Sequence, residues 1–281
     1  MPARYSTLGT TYAPREAVIT PRMALAYAAG MGFHDERYLD DARVGGLVVA
    51  PTLCVSLEWM ISGDRENRSG LGLTDDERAR AVHAGQDTRF FRPMPLGAPL
   101  IVSGEVIAMN STRAGARLTS LIRVSERISG EVVTESRVDT IFRGVETDAP
   151  PASPGDPVFQ RQGDVRERDL PVPRGFPHVY TECASIWNPI HTERRAALAA
   201  GLPDIIVHGT ALWAFAFICL DRPHSRLTRL AGRFSAMAIP GHNVRLRHWE
   251  EQPEGIAFEL LNAAGERAVS AGLASFEQED G

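Results

Sequence analysis

Cysteine is scarce in this chain: three residues, Cys54, Cys183 and Cys219, among 281, with no Cys-x-x-Cys pair. So odd and sparse a set argues against a disulfide framework or a structural zinc site, and it suits a reducing cytosol. A basic excess is also missing. Thirty Lys+Arg stand against 35 Asp+Glu, for a formal net charge of −5 and a pI near 5.9. That balance argues against a dedicated partner of nucleic acid or of an anionic membrane. No apolar run reaches the ~18 residues of a membrane span, and the longest, 211–220, reads as a buried helix. Met1-Pro2-Ala3-Arg4-Tyr5 lacks the apolar core of a secretory signal, so the expected location is cytoplasmic. No Gly-x-Gly-x-x-Gly follows a strand pattern, which removes the argument for a dinucleotide-binding unit. The one group resembling metal ligands, His34-Asp35-Glu36, is contiguous, and adjacent residues on regular structure point apart, so no metal is expected.

What is present is an ordinary globular mixture, 43% hydrophobic and 23% charged, able to bury a sizeable core. The sharpest change in composition is the run Asp148-Ala149-Pro150-Pro151-Ala152-Ser153-Pro154-Gly155-Asp156-Pro157, followed by charged text over 161–169. Proline removes backbone donors and disfavours both helix and central strand, so 148–172 reads as a linker between 1–147 and 173–281. The two halves look like distant copies of each other. Ala26 to Tyr38 precedes an apolar segment ending in Pro51-Thr52, and Tyr180 to His191 precedes one ending in Gly209-Thr210. Arg89-Phe90 leads to Gly97 and Arg233-Phe234 to Gly241 at the same spacing.

Local patterns repeat that plan. Residues 192–200 are rich in Ala, Arg and Glu and stop at Gly201, a short helix with a glycine end. Residues 210–220 are apolar on nearly every side and read as a central buried helix. Strands are expected at 100–109, 117–126, 131–143, 244–249, 255–261 and 268–276, with turns at 110–115, 129–130 and 262–265. Each half is thus a helical segment followed by an antiparallel sheet, an α+β arrangement.

Polar residues that a core does not need gather in two places, 180–191 and His208-Gly209-Thr210. Asn188-Pro189-Ile190-His191, a short helix, Gly201 and then His208-Gly209 together resemble the signature of MaoC-like enoyl-CoA hydratases and dehydratases. The resemblance implies a tandem, or double, hotdog fold, each repeat a sheet wrapped around one helix. It also implies chemistry in the second repeat and room for the acyl chain in a degenerate first repeat. The family motif is Asp-x-Asn-Pro-x-His, with Asp and His activating a water. His191, Asn188 and Pro189 match it, but Ile186 occupies the aspartate position. In the first half Phe33, Asp35, Glu36 and Tyr38 stand at the equivalent places, without a histidine.

The implied reaction is reversible hydration of a 2-enoyl thioester carried on coenzyme A or an acyl carrier protein, a lyase reaction with no metal or redox cofactor. His191 is expected as general acid/base. The Gly209 N–H, at the start of the apolar helix, is expected as the oxyanion donor, and Asn188 as a positioning residue. If 181–186 is helical, Glu182 lies one turn before Ile186 and its longer side chain stands in for the missing aspartate. Ile186, Trp187, His208 and Thr210 complete the substrate side. From the residues alone, Trp187 reads as packing against the other repeat and His208 as orienting the loop before Gly209. Because of Ile186, a non-catalytic acyl-thioester binder, or thioester hydrolysis or isomerisation at the same site, stays open. A homodimer is compatible with the pattern.

Overall fold

The structure, a computed structural model, describes residues 5–152, 159 and 161–278. The first half runs β1 (Thr11–Val18), α1 (Pro21–Met31), α2 (Cys54–Ser62), α3 (Arg65–Ser69), α4 (Asp75–Ala79), β2 (Ala81–Phe90), β3 (Pro99–Thr112), β4 (Gly115–Glu126) and β5 (Val132–Arg143). The second runs β6 (Arg166–Pro171), α5 (Phe176–Ala184), α6 (Arg194–Ala199), α7 (Gly209–Leu220), β7 (Ser225–Phe234), β8 (Asn243–His248), β9 (Ile256–Leu261) and β10 (Arg267–Gln278).

All ten strands form one antiparallel sheet in the order β1-β3-β4-β5-β2-β7-β10-β9-β8-β6. Burial alternates along β4, so one face of its apolar residues turns inward and the other outward. The two half-sheets join at the centre, where β2 pairs with β7 from Gly85↔Arg233 to Arg89↔Arg229. Each half wraps around one helix, α2 in the first and α7 in the second, as the double hotdog expectation requires. Trp213, Ala214 and Phe217 of α7 are almost wholly enclosed, and a helix apolar on every side can lie only in such a place.

The internal repetition is visible in detail. α1 and α5 pack against each other, with the rings of Tyr27 and Tyr180 6.3 Å apart. Each helix ends on a left-handed residue, Gly32 (φ +77°) and Ser185 (φ +53°). A 3₁₀ turn follows each of these helices, Glu36–Tyr38 capped by the Asp35 side chain and Pro189–His191 capped by that of Asn188. Gly97 and Gly241 both have positive φ.

Two sequence expectations need adjustment. The segment 148–172, read as a linker, contains β6, which pairs with β8 and closes the far edge of the sheet. Its polar, charged residues suit an exposed edge and pair across it: Asp169 with Arg245 at 2.7 Å and Glu167 with Arg247 at 2.9 Å. Residues 153–158 and 160 of that expectation lie outside the described residues. The elements β1, β2, β7, α1, α2 and α5 complete the repeats without having been singled out from sequence. Among the described residues, no helix is long and apolar enough to cross a membrane.

A second tie joins the halves away from the sheet. Asp221, just past α7, takes hydrogen bonds from Arg37 at 2.7 Å and Tyr38 at 2.8 Å, and its side chain is 9% exposed. Removing one partner of an enclosed pair costs about 3 kcal/mol, less where the other charge keeps a second partner, as Arg37 keeps Asp35 at 2.9 Å. Asp221→Ala should therefore lower the urea midpoint, with a loss of unfolding free energy of at most about that size. A midpoint unchanged from wild type would show that this contact does not hold the repeats together.

Candidate functional site

The site begins with a turn. Asn188 accepts the Ile190 N–H through its side chain, Pro189 fixes φ at the first position, and the 3₁₀ turn that follows ends on His191. His191 Nδ1 lies 2.8 Å from the Ile206 carbonyl. A carbonyl only accepts, so Nδ1 carries the proton in the neutral ring and Nε2 keeps the lone pair. Burial pushes the pKa of His191 down to about 4, so the ring is neutral at pH 7.

His208 caps the start of α7 and stacks on His191, with ring centroids 3.6 Å apart and planes at 23°. Burial first, and then the adjacent His191, hold its pKa well below the usual value. The two rings are therefore a neutral pair at pH 7, in which charge on one opposes charge on the other. Thr181 Oγ1 touches His208 Nε2 at 3.3 Å, and the Tyr180 ring packs on the same imidazole at 4.7 Å. Tyr180 also donates to Thr210 Oγ1 at 2.9 Å, pinning the first turn of α7 from behind.

That first turn has no side-chain cap; the Ala211 and Leu212 N–H groups bond to the His208 carbonyl, which leaves the Gly209 and Thr210 N–H groups as the helix-end donors. A Cβ at Gly209 would stand 2.7 Å from Cδ2 of Phe234. The glycine thus lets the Phe234 ring of β7 pack closely against the helix start. Ile186, Trp187, Asn188, His191, His208, Gly209 and Thr210 all line one cavity of about 550 Å³, a size usual for small-molecule sites.

Glu182 is a correction. α5 stops at Ala184, Ser185 turns left-handed, and the Ile186 N–H bonds to Thr181 O, so Glu182 and Ile186 do not share a helical face. The Glu182 side chain is exposed and is not among the groups lining the cavity. Ile186 itself is buried on the wall, and Trp187, 60% exposed, stands at the rim rather than packing into the other repeat. Among the described residues, no cluster of three His, Cys, Asp or Glu side chains could hold a metal ion.

Sequence reasoning missed the polar wall supplied by the first repeat, above all Glu58, His83 and Gln86. The available signal was a lone carboxylate at Glu58 within the apolar text 52–61, since unpaired carboxylates are almost never fully buried.

Residues 179–269 match the family described as MaoC like domain, and residues 6–136 match the FAS1-like, dehydratase domain region. The chain is 23% identical over 188 residues to the peroxisomal enoyl-CoA hydratase 2 of Arabidopsis thaliana, covering 60% of each protein, so it spans less than two thirds of that relative. It is 25% identical over 200 residues to the 3-hydroxyacyl-thioester dehydratase Y of Mycobacterium tuberculosis, covering 68% of this chain and 69% of that one. A solved MaoC-like dehydratase from Phytophthora capsici superposes with a TM-score of 0.78 at 19% identity, covering 98% of both chains. The fold is the double hotdog.

The tight contact between Gly209 and Phe234 can be read out directly. Gly209→Ala should cost about 1–3 kcal/mol of stability in a chemical melt, as overpacking usually does. In a Phe234→Leu background the added methyl should cost less. Equal costs in both backgrounds would mean that the ring does not set the glycine requirement.

Proposed function

From a two-repeat MaoC-like hotdog chain with its polar site in the second repeat, we propose reversible hydration of a 2-enoyl thioester to the 3-hydroxyacyl thioester, carried on coenzyme A or an acyl carrier protein. One observation carries the reading: the lone-pair nitrogen of His191 and the uncapped first turn of α7 serve the same cavity.

The thioester oxygen accepts from the Gly209 N–H, where the helix end stabilises the negative charge that builds up as water adds. A water oxygen bonds to C3 while its proton passes to His191 Nε2. The imidazolium then gives a proton to C2, and the ring returns to its neutral state with one water added overall. The low pKa suits the second half of this sequence, because an imidazolium that acidic releases its proton readily to carbon. Asn188 spends its carboxamide oxygen on the Ile190 N–H, leaving its NH₂ as the group that holds the incoming hydroxyl. With Ile186 at the carboxylate position and Glu182 at the surface, one imidazole handles both proton transfers.

The reaction as written uses no cofactor beyond the carrier, and an acyl thioester is the one partner it requires. The three free cysteines support a cytoplasmic setting. The apolar Ile186 on the cavity wall favours a second reading, an acyl-thioester binder without turnover.

Crotonyl-CoA and longer enoyl-CoAs, followed by loss of enoyl absorbance, separate the two. His191→Ala should lower kcat/KM by roughly 10²–10⁴-fold, and Glu182→Gln should leave it unchanged. Binding without turnover in the wild type selects the second reading, and release of free CoA points to hydrolysis. The pH profile is a separate check. The active form of His191 is neutral and burial depresses its pKa, so activity should hold as pH falls through 6.5 and be lost only towards about 4. An acid limb near 6.5 would contradict the enclosed, neutral histidine.

A further inference from the structure

The cavity runs across the strands of the first repeat. Phe234 of β7, packed on Gly209, stands at its reacting end. Beyond it Gln86 of β2 pairs with Val138 of β5, and Val138 pairs with Ser120 of β4, so a single row of cavity-lining residues crosses the sheet in register. The polar groups beside this row spend their donors on one another: Gln86 Nε2 donates to Glu58 Oε2 at 2.9 Å, and Ser136 Oγ donates to Glu58 Oε1 at 2.5 Å.

The row stops short of β3. Among the described residues no side chain of β3 lines the cavity, because the Tyr12 ring lies over that strand. Tyr12 of β1 pairs with Gly104 of β3, and its hydroxyl reaches across to Ser120 Oγ on β4 at 2.7 Å. Gly104 makes this possible, since a Cβ there would stand 3.0 Å from Tyr12 Cδ2 and 3.1 Å from Ile61 Cδ1. The ring thus fills the gap between sheet and α2, held between Gly104 and Ile61 and tied at its tip to Ser120. Tyr12 is 7% exposed, so this end of the cavity is shut, whereas Trp187 and Met237, at the mouth, are 60% and 43% exposed.

Neighbouring strands lie about 4.8 Å apart, so the three steps from β7 to β4 measure about 14 Å, the span of roughly ten to twelve carbons of an extended chain. Resting on the hydratase reading, we infer that the substrate is a medium-chain acyl thioester and that Tyr12, against which the chain ends, is the residue that sets its length. Closing the gap with a ring pinned on both faces and at its hydroxyl makes a fixed stop, one that a longer chain cannot push aside at little cost.

The test is a series of saturated acyl-CoAs of even length, from butyryl to stearoyl, titrated into the intact chain by calorimetry. The matching 2-enoyl-CoAs are assayed for hydration in parallel. Affinity should rise about tenfold for every two carbons up to the limit and fall at least about fivefold for the next two. Tyr12→Ala should carry the limit roughly two to four carbons further, into the space the ring leaves, and Tyr12→Phe, which keeps the ring, should leave it in place. The break in the wild-type series stands as a test even if Tyr12→Ala fails to fold. If wild-type affinity shows no break along the series, or if the break does not move in a folded Tyr12→Ala, the inference is overturned, whatever the turnover. If the break appears but no enoyl thioester is hydrated, the inference holds and the hydratase reading fails.

Discussion

The hydrogen bond from His191 Nδ1 to the Ile206 carbonyl chooses which imidazole nitrogen the cavity meets, and the proposed chemistry depends on that choice. A carbonyl cannot donate, so the ring is held as the tautomer whose Nε2 is basic. Burial keeps the ring uncharged at rest, with His208 stacked against it. The same loop sets His208 at the start of α7, so the basic nitrogen and the free helix end are positioned by neighbouring residues, 206–209. Their relative placement needs no long-range adjustment of the fold.

The central pairing of β2 with β7 has a different consequence. It turns two small sheets into one and brings the wall of the first repeat against the site of the second. The first repeat has put the residues equivalent to the second repeat's site to other uses. Tyr38, at the place corresponding to His191, is locked to Asp221, while α2 and β2 contribute carboxyl, amide and imidazole groups to the shared cavity. On the proposed reading, duplication separates reaction from the rest of the cavity: one copy holds the proton carrier, and the other lines the same cavity.

What could be read from the sequence was what short-range chemistry writes into it. The unbroken apolar run gave α7, and alternation with glycine turns gave β3, β4, β5, β8, β9 and β10 to within a few residues. The Asn188-Pro189-Ile190-His191 turn and Gly209 were legible because each depends on its immediate neighbours. Glu182 was misread because a single left-handed residue, Ser185, ended the helix two residues before Ile186, and serine carries little signal for that conformation. β6 was hidden by its charges, which look like linker until Arg245 and Arg247 are placed opposite. Gln86 and Glu58 were invisible as a pair, because their contact joins elements 28 positions apart, and no local pattern marks it.

The central claim is that one imidazole manages both protons, since Ile186 and the surface position of Glu182 leave His191 without the family's carboxylate partner. The stereochemistry of addition measures this most directly. Crotonyl-CoA is hydrated in D₂O, and the product is read by NMR early in turnover, before exchange at C2. A single base on one face of the double bond must place deuterium and hydroxyl on the same side, so syn addition is the predicted result. Anti addition would require a second proton carrier on the opposite face and would contradict the account.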